Sequence, residues 1–196
     1  MYLPMKKLRT TLVKRIDELK RRFYFTQPTS GITPHQEDKL RGLIVLCHAE
    51  LEDYFESVAK TILDRGEMIW NTKKIANFNF ANLLLRGKRA DKPNLKPGML
   101  LFKVVELYKY VIINNNGIKA DNLHNLFWPL GYDDDDDFDS SFLAQLDSFG
   151  VQRGNIVHSS AKKAKQQLDQ SSVYRDIDNI LNALEGFERV IISKIT

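Results

Sequence analysis

The sequence predicts an all-α protein, an up-and-down bundle of four to five main helices with short extra helices. Three observations carry that prediction. Apolar residues recur at intervals of three and four through most of the chain, the period of an amphipathic helix. Helix start and stop signals bracket those stretches. No convincing pair of strands and no internal repeat is found.

The first helix is predicted over residues 4–25. Pro4 suits its first turn, and Leu8, Leu12, Ile16, Leu19 and Phe23 form its apolar stripe. Its opposite face is basic. Residues 1–25 hold eight Lys and Arg against two acids, a local charge of +6 (8 − 2). That face is either a solvated surface or a patch for RNA or a protein partner.

The stretch TQPTSGIT over residues 26–33 reads as a turn. Thr33, Pro34 and Gln36 then stand in capping-box spacing and open a helix expected to reach about Arg65. Its broad apolar face includes Leu40, Leu43, Ile44, Cys47, Leu51, Tyr54, Phe55, Val58 and Ile62. Glu50 and His48 lie at opposite edges of that face, and Glu52 and Glu56 point away from it. His48 reads as a packing residue.

Residues 68–92 predict one or two short helices, and the basic stretch RGKRADKPNLKP over 86–97 a solvent-facing loop. A helix over 98–115 stops at Asn114-Asn115-Asn116-Gly117. A short apolar element with Leu123, Leu126, Phe127 and Trp128 stops at Pro129. Asp133–Asp137 are five consecutive aspartates. They lack the spaced ligands and glycine of a calcium loop and read as a solvated, mutually repelling loop. Asp139, Ser140 or Ser141 caps the helix beginning near Phe142, which carries Leu143, Leu146 and Phe149. A final helix starts at Ser171 or Ser172 and carries Val173, Ile177, Ile180, Leu181, Leu184, Phe187 and Ile191.

Composition narrows the function classes. The 196 residues suit one domain, residues 1–196, with a core over 35–195 and the basic helix at 1–25. The chain is 43% hydrophobic, with net charge +4 and a pI of about 9.0, which permits a polyanionic partner without requiring one. The single cysteine, Cys47, excludes an internal disulfide and reads as a small buried hydrophobe. No apolar run reaches the roughly 20 residues that cross a bilayer, and no signal-peptide core is evident. The expectation is a soluble, cytoplasmic protein without a membrane partner.

The stretch Gln152-Arg153-Gly154-Asn155-Ile156-Val157-His158-Ser159-Ser160 holds the chemistry-bearing residues, followed by Lys162, Lys163 and Lys165. Arginine forks onto non-bridging phosphate oxygens, and histidine gives or takes a proton near neutral pH. Arg153 and His158 are about 140° apart on a regular helix and share no face. Three arrangements answer this: Arg153 precedes the helix proper, its side chain reaches round, or the working pair forms between two subunits. His158 and Lys162 share a face, as do Asn155 and Ser159, which makes a polar, positive path suited to phosphate.

The passage LIVLCHAELEDYF over 43–55, the passage LDSFGVQRGNIVH over 146–158 and the amphipathic final helix together resemble the HEPN superfamily, the higher eukaryotes and prokaryotes nucleotide-binding domain. The likeness spans roughly residues 35–195, is nearest to the branch with RiboL-PSP-like domains, and has its specific part in the Arg-to-His passage, similar to that family's Arg-x4–6-His motif. The resemblance implies a helical bundle that pairs with a second copy through the face bearing Arg153 and His158. It implies a metal-independent endoribonuclease without a cofactor, of a kind common as toxins of toxin–antitoxin pairs and in anti-phage defence, so that RNA and an antitoxin protein are the implied partners. Arg153 and His158 are then the catalytic residues. The family often has a polar residue directly after the arginine. Here Gly154 stands there and Asn155 follows. Asn155, Glu50, Ser159 and Lys162 are the supporting candidates, Glu50 because HEPN domains often carry an acid on the long helix near the motif. The alternative is a non-catalytic RNA-binding or dimerisation module.

Overall fold

A computed structural model describes residues 3–26, 31–86, 97–158 and 168–195, and the described residues contain helices and no strand. The helices are α1 (Leu3–Phe23), α2 (Pro34–Lys73), α3 (Phe78–Arg86), α4 (Pro97–Ile113), α5 (Ala120–Phe127), α6 (Asp134–Asp137), α7 (Ser140–His158) and α8 (Gln170–Lys194), with a 3-10 turn at Trp128–Leu130. The all-α expectation holds.

Helix α2 is the axis of the bundle. Its 40 residues span about 60 Å at 1.5 Å per residue, and it packs against α1, α3, α4, α5, α7 and α8. Its start is the expected capping box: Thr33 Oγ1 accepts from the Gln36 backbone N–H at 3.3 Å, and Gln36 Oε1 accepts from the Thr33 N–H at 2.8 Å. The helix does not stop near Arg65 but continues to Lys73, where Lys74 in the left-handed region (φ 58°) closes it. The reason is a packing contact. Gly66 lies against Phe80 of α3, so close that a Cβ there would stand 2.9 Å from the ring. Local sequence registers Gly66 as a helix weakener; the tertiary contact outweighs it.

Helix α1 is part of the core rather than an appendage. Met5, Leu12, Ile16 and Leu19 are buried in the same apolar cluster as Leu40, Leu43, Cys47 and Leu51 of α2. Cys47 is fully buried, and desolvation pushes its thiol up to about 12, so it is a packing residue. At the other end of the core, Phe187 of α8 meets Phe55, Phe127 and Phe138 at ring separations of 5.3–5.4 Å.

Two further expectations are corrected. The final helix starts at Gln170, just ahead of the expected Ser171 or Ser172, because Asp169 caps it, its Oδ2 accepting from the Ser172 N–H at 2.7 Å. The aspartate run is not a solvated loop. Asp134–Asp137 form one helical turn, in which Asp137 pairs with Lys194 at 2.5 Å and Asp134 with His124 Nδ1 at 2.7 Å. The Lys194 cation of α8 and the His124 ring of α5 give two of these carboxylates partners, which the local sequence does not show. The basic 86–97 loop lies, apart from Arg86 and Pro97, outside the described residues.

Candidate active site

Helix α7 carries the motif. Asp139 caps it, with Oδ1 accepting from the backbone N–H of Ser141 (2.9 Å) and Phe142 (3.0 Å). These bonds and the Ser141 hydroxyl hold the Asp139 carboxyl below its ordinary pKa. Phe142, Leu146 and Phe149 recur at spacings of four and three and are buried against the bundle. Arg153 comes four residues later, in line with that stripe. A guanidinium therefore stands where the period calls for an apolar side chain. α7 is continuous through His158, so the arrangement in which Arg153 precedes the helix does not apply. His158 occupies a register position about 140° from Arg153, on the side of the exposed Val151 and Asn155.

The neighbours of Arg153 come from α2. His48 and Glu52 stand one turn apart, with Nδ1 and Oε2 separated by 3.6 Å. His48 is 3% exposed; burial, reinforced by the positive charge of Arg153, lowers its pKa to about 4 and keeps the ring neutral near pH 7. Burial raises the Glu52 carboxyl, as does the charge of Glu56, while Arg153 and the backbone N–H of Gly117 oppose the rise. Glu56, the next residue in this row, is also raised chiefly by burial and accepts from Asn115 Nδ2 at 3.0 Å. Arg153 itself is half-buried, and its Nε is buried with no hydrogen-bond partner. Its guanidinium makes no ion pair among the described residues, so its donors are available for an oxyanion.

The loop before α5 is tied to this region. The Ala120 N–H donates to Asp147 Oδ1 of α7 at 2.8 Å, placing a negative charge at the start of α5. Gly150 of α7 lets the Lys119 stem pass: a Cβ there would meet Lys119 Cγ at 2.8 Å.

The sequence-predicted residues separate in space. Glu50 pairs with Arg15 of α1 at 2.8 Å, and the carboxylate in the field of Arg153 is Glu52. Asn155 is exposed and lines a groove of about 270 Å³ between α7 and α8 with Gln152, Asp176 and Asn179. Ser159 and Lys162 lie outside the described residues, as does the side chain of His158. His48, Glu52 and Asn115 were missed as site neighbours. The available signal was the row His48, Glu52, Glu56 at four-residue spacing, which lines one side of α2. No group of three or more His, Cys, Asp or Glu among the described residues could hold a metal ion. No described helix is long and apolar enough to cross a membrane.

An all-α bundle whose helix α7 carries Arg153 and His158 in Arg-x4-His spacing beside the longest helix is consistent with the HEPN class. Within it, the family model described as RiboL-PSP-HEPN matches residues 10–193, and the chain belongs to that family. No curated protein and no solved structure matches the chain.

Proposed function

We propose that this protein is a metal-independent endoribonuclease of HEPN type that works as a homodimer, with Arg153 and His158 as its catalytic residues. The observation that carries the reading is the Arg153 guanidinium, without an ion pair among the described residues and held on the buried stripe of α7 beside a neutral His48 and the raised carboxyl of Glu52. An arginine so placed is costly to the fold, and an anionic ligand would satisfy it. Membership of the RiboL-PSP-HEPN family supports the reaction class.

In this reading the ribose 2′-hydroxyl attacks the adjacent phosphorus. His158 transfers the proton, and Arg153 stabilises the charge that builds on the non-bridging oxygens. The 5′-oxygen leaves, giving 2′,3′-cyclic phosphate and 5′-hydroxyl ends. The 140° separation on one continuous helix favours a site built from two copies, with each motif meeting the other at a two-fold axis. A role as a toxin held by an antitoxin protein, or in anti-phage defence, extends the same reading.

The test is incubation of mixed RNA with the protein in EDTA, beside Arg153→Ala and His158→Ala, with solution mass measured in parallel. Cleavage by the wild type alone, with cyclic phosphate ends and a dimer mass, supports the proposal. Equal cleavage by all three overturns it. Absence of cleavage with retained RNA binding favours the second reading, a non-catalytic RNA-binding or dimerisation module, which the basic α1 face also suits.

A further inference from the structure

A second feature, away from Arg153, has the chemistry of a nucleobase site. A cavity of about 550 Å³ opens between α4, α5 and the 3-10 turn that follows α5. That volume lies within the range of small-molecule sites, about 300–1,000 Å³. Its lining joins aromatic rings to amides. The ring of Trp128 is stacked with that of His124 at 5.7 Å and 24°, and the Arg86 guanidinium lies 5.3 Å from the Trp128 centroid. Asp134 holds His124 through Nδ1 at 2.7 Å, which orients the imidazole within this stack. Tyr110 adds a further ring that is 66% exposed.

The amides are asparagines, and they are not equally committed. Asn115 is fully engaged, donating to Glu56 Oε1 and to the Gly117 carbonyl, both at 3.0 Å. Asn114 donates to the Tyr110 carbonyl at 2.8 Å, which leaves its own Oδ1 unbonded among the described residues. The Asn125 side chain makes no hydrogen bond to any described residue. An amide whose donor and acceptor are both unused among the described residues, beside the exposed Tyr110 ring and the half-buried Trp128, is the combination that reads the polar edge of a stacked base. Arg86 supplies a cation that lies over the Trp128 ring and still has N–H donors for phosphate.

The cavity is connected to the Arg153 region. Asn115 lines it and holds Glu56; the Gly117 N–H that follows holds Glu52; and Glu52 lies in the field of Arg153. Glu52 and Glu56 are four residues apart, about 6 Å along α2 at 1.5 Å per residue. Cavity and arginine thus share one flank of the long helix.

We propose that this cavity binds an unpaired RNA base, stacked against its aromatic lining, with Asn125 contacting the base edge and Arg86 the adjoining phosphate. The proposal deepens the ribonuclease reading by naming single-stranded RNA as the form of substrate, and rests on it for that role. It predicts a preference for loops and unpaired segments, since a paired base cannot enter the cavity.

The experiment uses the full chain with Arg153→Ala, so that cleavage does not interfere, and Trp70→Phe, so that Trp128 is the only tryptophan. A short unstructured oligoribonucleotide is titrated while Trp128 emission and the anisotropy of a labelled oligomer are followed. The expected result is saturable quenching of Trp128, competition by single-stranded but not by double-stranded RNA, and roughly tenfold weaker binding on Tyr110→Ala or Asn125→Ala. Both substitutions lie at the surface and are compatible with folding, which far-UV circular dichroism checks. Binding without quenching, or unchanged affinity in both variants, overturns the proposal. The two readings fail separately. Quenching with no cleavage by the parent enzyme removes the ribonuclease and leaves the base site. Cleavage with unaltered KM in Tyr110→Ala and Asn125→Ala removes the base site alone.

Discussion

The Tyr54 hydroxyl donates to Glu188 Oε1 at 2.8 Å and ties α2 to α8 inside the core. Glu188 is 1% exposed, and its second oxygen faces Arg9 of α1 at 3.4 Å, so three helices meet at one buried carboxylate. Burial raises the Glu188 carboxyl, opposed by the Tyr54 hydrogen bond and the charge of Arg9. Tyr54→Phe removes one bond and leaves a buried oxygen unmet, at an expected cost of about 1–3 kcal/mol in urea unfolding at pH 7. If Tyr54→Phe unfolds at the same urea midpoint as the wild type, the bond contributes nothing.

In the proposed ribonuclease reading, Arg153 sets function against stability. Its buried Nε has no partner among the described residues, so replacing the side chain by methionine removes an unsatisfied polar group while keeping volume in the stripe. Arg153→Met is expected to leave stability unchanged or raise it, and to lower ribonuclease activity by about 100-fold or more, the scale of losing a transition-state donor. A thermal melt beside an RNA cleavage assay checks both; a marked fall in melting temperature would show that Arg153 holds the fold instead.

His48 makes stability depend on acidity. Its pKa is about 4 in the fold against 6.5 in the unfolded chain, so between those values the unfolded chain binds a proton that the native state does not. The contribution is absent above pH 6.5, and stability falls as pH drops from there, levelling below about 4. Between pH 7 and pH 5 the loss is at most about 2 kcal/mol. Facing groups are Glu52 on α2 and Arg153 on α7. His48→Gln should flatten this part of the pH profile in denaturant melts; an unchanged slope would assign it to other groups.

Gly131 closes the turn that supports Trp128. Its φ is +93°, its N–H bonds the Trp128 carbonyl at 3.0 Å, and a Cβ would stand 2.7 Å from Asn82 and 2.8 Å from Phe78. Gly131→Ala is therefore both strained and crowded, with an expected cost of roughly 1–3 kcal/mol and a melting temperature lower by several degrees. A melting temperature equal to that of the wild type would show that the turn yields.

The helices themselves were legible because their determinants are local. Period, capping residues and the Asn-Gly stop act within a few residues, so the stripes of α1, α2 and α8 and the Thr33 cap were readable from the chain. Arg153 and His158 were picked out as candidates because they lie on one stretch, and both stand on the single helix α7. Which carboxylate stands near Arg153 was not legible. Glu50 and Glu52 are two residues apart on one helix, and the choice depends on α1 taking one side of α2 and α7 another.

By itself, then, the sequence determined an all-α chain, which follows from periodicity and capping along the chain, and it carried a resemblance to HEPN domains that the family match over residues 10–193 bears out. Only the tertiary structure decided the surroundings of the Arg153–His158 stretch: Glu52 over Glu50, a buried His48 beside the arginine, paired rather than repelling aspartates, and a long helix carried past Gly66 by Phe80. Those outcomes depend on partners tens of residues away, and no local propensity encodes which partner a side chain will meet.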